Sequence, residues 1–229
     1  MARLHLTVEE PTEQRFAAGL LRPHLATMGV YLGGIELAAH AKKKQQVHRG
    51  GLQRYLPFRN EIARRLKEDK NSDVHFSTMI DLYALPRDFP GTDACKATQD
   101  PYRRVEGMER ALAADLGDPR FIPYIQLHEF EAILFSDTDK IAMYYEKQVR
   151  EIEQLKAQIA AFLSPERIDD DPHTAPSKRI AALIPAYGEE KTTAGPIIAA
   201  AIGLPTIRNK CPHFDAWLQR LESLGQNPQ

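Results

Sequence analysis

The sequence predicts an α/β fold: a mostly parallel sheet flanked by helices over residues 1–136, with a helical carboxy-terminal extension over 137–229. Three observations carry this. Strand patterns alternate with helical ones through the first part, which favours parallel strands joined by right-handed crossovers. Each of the three strongest strand patterns runs into an acidic residue, namely Glu9, Asp81 and Glu129. After Ser136 the strand patterns stop and amphipathic helical ones take over.

Residues 3–9 alternate, with Leu4, Leu6 and Val8 on one side and Arg3, His5 and Thr7 on the other, the period of a half-buried strand. Thr12 is placed to cap a helix through Phe16, Leu20 and Leu21, with Glu13 in its favourable first turn and Pro23 kinking or ending it. A short strand is expected over 30–37, and a polar loop over 42–51 ends in Gly50 and Gly51. From Pro57, Phe58, Ile62, Ala63 and Leu66 recur at helical spacing. Val74, Phe76 and Ile80 mark a second strong strand, closed by Asp81, and Pro86, Pro90 and Gly91 punctuate a long loop after it. Residues 102–116 read as a helix. Residues 121–127 are almost continuously apolar, as a buried parallel strand requires, and lead into His128, Glu129 and Glu131. The extension is expected to hold helices over 141–163, 176–184 and 196–202, and a last one through Phe214, Trp217, Leu218 and Leu221.

With 229 residues, 43% hydrophobic and 27% charged, the chain reads as a folded globular protein and not as a disordered, collagen-like or coiled-coil one. No apolar run approaches the roughly 20 residues of a membrane helix. The amino terminus lacks a signal-type apolar block, so a cytoplasmic protein without membrane association is expected. Cys95 and Cys211 form no metal-type pair. The net charge of -1 hides a polarity. Residues 42–70 hold ten lysines and arginines against three acids, a net +7, and residues 129–171 hold eleven acids against five basic residues, a net -6. A basic segment of this kind can grip a nucleic-acid backbone although the whole chain is neutral.

Ligands of an open parallel sheet gather beyond the carboxyl ends of its strands. Glu9, Asp81 and Glu129 are all expected on that edge, with Glu131 beside them, as catalytic and metal-ligating residues. Carboxylates brought together repel unless a cation lies among them, and hard oxygen donors suit Mg or Mn. Such an ion does phosphoryl chemistry: it polarises a phosphodiester, orients the attacking water and neutralises the leaving oxygen. His128 is a candidate base or ligand beside Glu129.

Val8, Glu9, Thr12 and Glu13, then MIDLYALPRDFPG at 79–91, IQLHEFEAILFSD at 125–137, APSKRI at 175–180 and CPHFDAWL at 211–218, together resemble the bacterial family called domain of unknown function 4276. The resemblance spans essentially the whole chain. It implies a Toprim-like sheet, related to topoisomerases, primases and nucleases of the overcoming-lysogenization type. It also implies that Glu9 stands for the metal-binding glutamate after the first strand and Asp81 for the first of two aspartates. Tyr83 fills the place of the second aspartate, which leaves Glu129 or Glu131 to supply a ligand; Glu10 and Ala84 stand where the family usually has glycine. Members often accompany an ATPase of the ABC or structural-maintenance type, which implies a phage-defence pair.

Two further groups are expected to hold substrate phosphates. Ser177, Lys178 and Arg179 fall in the first turn of a helix, where free N–H groups attract anions. Lys42, Lys43, Lys44 and Arg49 lie in the glycine-ended loop. His213 and Asp215 are expected to cap the last helix. These readings converge on a metal-dependent nuclease acting on DNA or RNA. The alternatives are a catalytically silent nucleic-acid-binding or regulatory subunit of an ATPase and, less well matched, a phosphoacceptor receiver, which needs a lysine after its last strand where this chain has acids.

Overall fold

The alternating amino terminus forms β1 (Ala2–Val8), followed by α1 (Pro11–Phe16) and α2 (Arg22–Thr27), which a π-helical turn, Ala17–Leu21, joins. The computed structural model describes residues 1–38, 52, 54–83, 85–168 and 174–226. Pro23 does not end this helix. The widened turn before it, in which the Arg22 N–H reaches back to the Ala17 carbonyl, absorbs the missing donor and the bulk of the ring. Thr12 is not the cap: Glu10 holds that position, its N–H donates to Glu13 Oε2 at 2.9 Å, and Thr12 is buried inside the first turn.

The chain continues through β2 (Val30–Leu37), α3 (Tyr55–Glu68), β3 (Val74–Asp81), α4 (Thr92–Cys95) and α5 (Pro101–Leu116). The apolar run 121–127 is not one strand but two short ones, β4 (Phe121–Ile122) and β5 (Ile125–Gln126), both parallel to β3. Pro123 has no N–H to give the ladder, and side chains of β3 bridge the gap. Thr78 Oγ1 donates to the Tyr124 carbonyl and accepts from its N–H, both at 3.0 Å, and Ser77 Oγ donates to the Ile122 carbonyl at 2.6 Å.

A 3₁₀ segment, Phe130–Ser136, opens the helical part, followed by α6 (Thr138–Tyr144), α7 (Val149–Ile159), a 3₁₀ turn at Pro165–Arg167, α8 (Pro176–Leu183), α9 (Pro185–Ile202), α10 (Leu204–Lys210) and α11 (Pro212–Ser223). Two expectations are corrected here. The pattern at 141–163 is two helices, because Tyr145 leaves helical geometry, buries its ring and bonds its hydroxyl to Glu190 at 2.9 Å. Pro196 does not start a helix but lies inside α9, and the Thr192 carbonyl that its missing N–H would have satisfied accepts from Arg15 at 2.8 Å.

The strand order is β2-β1-β3-β4, all parallel, with β5 continuing along the end of β3. Gly33 is passed over in the β1–β2 register, where Leu4 faces Leu32 and His5 faces Gly34. One face of the sheet, carrying Leu4, Leu6, Val8 and Met79, packs against α1, α2 and the C-terminal helices through Phe16, Leu21, Tyr187, Phe214 and Leu218. The other, carrying Val74, Phe76 and Ile80, packs against α3 and α5 through Phe58, Ile62, Val105 and Leu112. Trp217 pins the first layer to the sheet: its indole N–H donates to Ser77 Oγ at 2.9 Å and its ring stacks on Tyr124 at 4.2 Å. Among the described residues no helix is long and apolar enough to cross a membrane.

Candidate functional site

From β1 the chain crosses to β2 on one side by way of α1 and α2; β3 lies on the other side of β1 and leads to β4 through α5, on the opposite face. Strand order therefore reverses between the carboxyl ends of β1 and β3, the place where an open sheet leaves a crevice. Glu9 follows β1 and Asp81 ends β3, so both stand at that point.

The two are bonded directly. Glu9, 5% exposed, accepts the Asp81 N–H on Oε2 at 2.8 Å and the Leu52 N–H on Oε1 at 3.1 Å. Asp81 Oδ1 is sealed from solvent without a hydrogen-bond partner among the described residues. Glu129 precedes the 3₁₀ segment and Glu131 lies in it, both buried. Glu129 Oε2 accepts the Ser177 N–H at 2.9 Å, and Glu131 Oε1 accepts the Tyr187 hydroxyl at 3.0 Å. Glu13, 2% exposed, completes the group from the first turn of α1.

These acids feel one another. Burial and then the charges of Glu13, Glu9, Glu129 and Glu131 hold Asp81 well above the usual carboxylate range. Burial also raises Glu13 far above it, with Glu9 and Glu131 adding to the effect. Glu9 is pushed up to about 7 by burial, against the pull of the Asp81 and Leu52 N–H groups. Glu131 likewise reaches about 7 through burial, although Lys191 opposes the rise.

Lys191, from α9, is the residue that sequence reasoning missed. Its ammonium lies 2.8 Å from Glu10 Oε2, and although burial lowers its pKa, the charges of Glu131, Glu10 and Asp81 raise it more. A lysine in a helix with no amphipathic stripe gives no signal in one dimension. Tyr187, one helical turn earlier, is missed for the same reason.

Other expected groups fall elsewhere. The N–H of Ser177 is occupied by Glu129, so the first turn of α8 holds a carboxylate of the site where a phosphate was expected. Lys178 takes its place in the helix through its N–H to Ala175, and Arg179 lies over the Phe162 ring at 5.6 Å. The Tyr83 N–H donates to the His128 carbonyl at 2.8 Å. His128 donates its Nε2–H to the Glu166 carbonyl at 3.1 Å. His213 and Asp215 do not cap α11; Glu166, fully buried, accepts the N–H groups of His213 and Phe214 at 3.0 and 2.9 Å, while Asp215 pairs with Arg208. Lys42, Lys43, Lys44, Arg49 and Ala84 lie outside the described residues.

The donor chemistry of this site fits Mg or Mn: hard oxygens, mutual repulsion and one sealed, unpartnered carboxylate oxygen. Among the described residues no group of three or more His, Cys, Asp or Glu side chains is disposed to hold a metal ion, since Glu9, Glu129 and Glu131 are turned to N–H and hydroxyl donors.

The family model for the domain of unknown function DUF4276 matches residues 8–222. The chain belongs to that family. No curated protein and no solved structure matches it. The DUF4276 match takes in every acid of the cluster, and Lys191 and Tyr187 with them.

Proposed function

We propose that this DUF4276 chain is a divalent-metal-dependent phosphodiester hydrolase of Toprim type acting on DNA or RNA. The observation that carries the reading is Asp81 Oδ1, without a partner among the described residues and sealed within a group of five acids at the point where strand order reverses. An uncompensated polar atom there is costly unless a cation uses it. Glu9, Asp81 and Glu129, with Glu131 behind them, are the residues that would hold the ion. When bound, Mg or Mn supplies a polarised phosphate and an activated water. Glu9 and Glu129 would hold the ion through the carboxylates that accept the Leu52 and Ser177 N–H groups. Lys191, held by Glu10, keeps a positive charge beside the acids.

A second reading, a catalytically silent subunit that binds nucleic acid or an ATPase of the ABC type, draws on Glu9, Glu129 and Glu131 each being engaged by N–H or hydroxyl donors of the protein. One experiment separates the two. Labelled single- and double-stranded DNA and RNA are incubated with the protein in Mg, Mn or chelator. Metal-dependent cleavage by the wild type that Glu9→Gln and Asp81→Asn abolish supports the hydrolase. A wild type that cleaves nothing in either ion, or an Asp81→Asn variant as active as wild type, overturns it.

A further inference from the structure

His128 is the only residue other than glycine with a positive φ among the described residues, at 63°. Histidine visits this left-handed region more readily than most residues, yet at a cost that glycine would not incur. The turn lies directly before Glu129 and redirects the chain from β5 into the 3₁₀ segment that carries Glu131. Three observations show that it is clamped. The carbonyl of His128 accepts the Tyr83 N–H at 2.8 Å, which ties the turn to the chain leaving β3. Its ring, 3% exposed, reaches the Glu166 carbonyl at 3.1 Å. A carbonyl only accepts, so Nε2 carries the proton. Glu166 is itself anchored, its side chain fully buried and bonded to two N–H groups of α11.

We infer that His128 is a positioning residue whose ring anchor and left-handed backbone set the direction in which Glu129 points into the strand-end site. A glycine at 128 would adopt the same turn without strain but would have no ring to hold it. The inference rests on the proposed cation site for its consequence, though not for its geometry. Ser177 offers a readout that needs no ion. It follows Pro176 in the first turn of α8, where an N–H has no partner within the helix, so Glu129 is what protects it.

The experiment compares His128→Gly, His128→Asn and His128→Gln with the wild type. Gly and Asn accept the turn but do not carry a donor out to the position of Nε2, whereas the Gln amide does. Amide exchange at Ser177, followed by NMR in chelator, is expected to quicken at least about tenfold in the Gly and Asn variants and equally in Glu129→Ala, and to stay within about threefold of wild type in Gln. Mn affinity, measured by EPR of the free ion, is expected to weaken at least about tenfold in Gly and Asn and to recover in Gln. Should the Gly variant fail to fold, the Asn variant carries the same comparison. Wild-type exchange at Ser177 in a folded Gly or Asn variant overturns the positioning role. Quickened exchange in a protein that binds no Mn in any form upholds that role and overturns the cation site instead.

Discussion

Replacing Asp81 by asparagine in the presence of a chelator tests whether the strand-end acids are held together against their own repulsion. Burial places Glu9 and Glu131 at about 7 in the folded chain, from an ordinary value of 4.5, and holds Asp81 and Glu13 well above the usual carboxylate range. An acid whose pKa is higher in the folded state binds more protons there than in the unfolded chain. Its contribution therefore favours folding below about 4.5 and is lost as pH climbs through about 7. For Glu9 the difference between 4.5 and about 7 corresponds to about 3 kcal/mol. The acids titrate together, so the values are not summed. Unfolding free energy of the ion-free wild type should thus fall by about 3 kcal/mol between pH 5 and 8. Histidines contribute in the same window. His213, lowered by burial but raised more by its bond to Glu109, loses stability above 6.5. For His5 and His75, whose pKa values burial lowers, the contribution is present above 6.5 and is lost as pH falls below it. Both effects are common to wild type and variant, and so cancel in their difference. Asp81→Asn removes an acid whose own pKa is held well above the ordinary range and leaves the shape, so the fall with pH should shrink by at least about 1.4 kcal/mol, one pK unit's worth. Urea unfolding, followed by the single tryptophan, Trp217, reads both proteins at constant ionic strength. Parallel pH curves for wild type and Asp81→Asn would refute the reasoning.

Because the acids hold protons near neutrality, Mn binding at pH 7 must release them; calorimetry in two buffers of different ionisation enthalpy should show at least about half a proton per ion, and a heat independent of buffer contradicts it. Filling the site also stabilises by mass action, so millimolar Mg or Mn should raise the melting temperature of wild type and not of Asp81→Asn. Glu166→Gln replaces one acceptor of the α11 cap by a donor that faces an N–H, which should cost about 1 to 3 kcal/mol in urea; an unchanged midpoint would show that the cap is dispensable. Gly195→Ala places a Cβ 3.2 Å from Phe130 and 3.3 Å from both Thr12 and the Tyr187 hydroxyl, and should destabilise by about 1 kcal/mol or more through overpacking. A more stable variant would show that α9 has room to move off α1.

The strands at 2–8 and 74–81 were legible because a half-buried strand alternates with period two, and the acids after them were legible because each arrives as that pattern stops. The long helices at 55–68 and 101–116 were legible for the corresponding reason at period 3.6. Local signals went wrong where a distant group rescued a local defect. Pro123 should have spoiled its strand and does split it, but Thr78 and Ser77 keep the backbone satisfied. Pro196 should have broken α9, and Arg15 from the first helix takes the carbonyl left over. The candidate site divides along the same line. Sequence alone determined which acids follow which strands, since that is a matter of neighbouring residues. Only tertiary structure decided that Glu129 is held by the first turn of α8, that Lys191 and Tyr187 arrive from α9, and that Asp81 Oδ1 has no partner among the described residues. Periodicity records which side of an element is buried, whereas the partner of a buried charge is set by where remote elements cross, and one dimension carries no trace of that crossing.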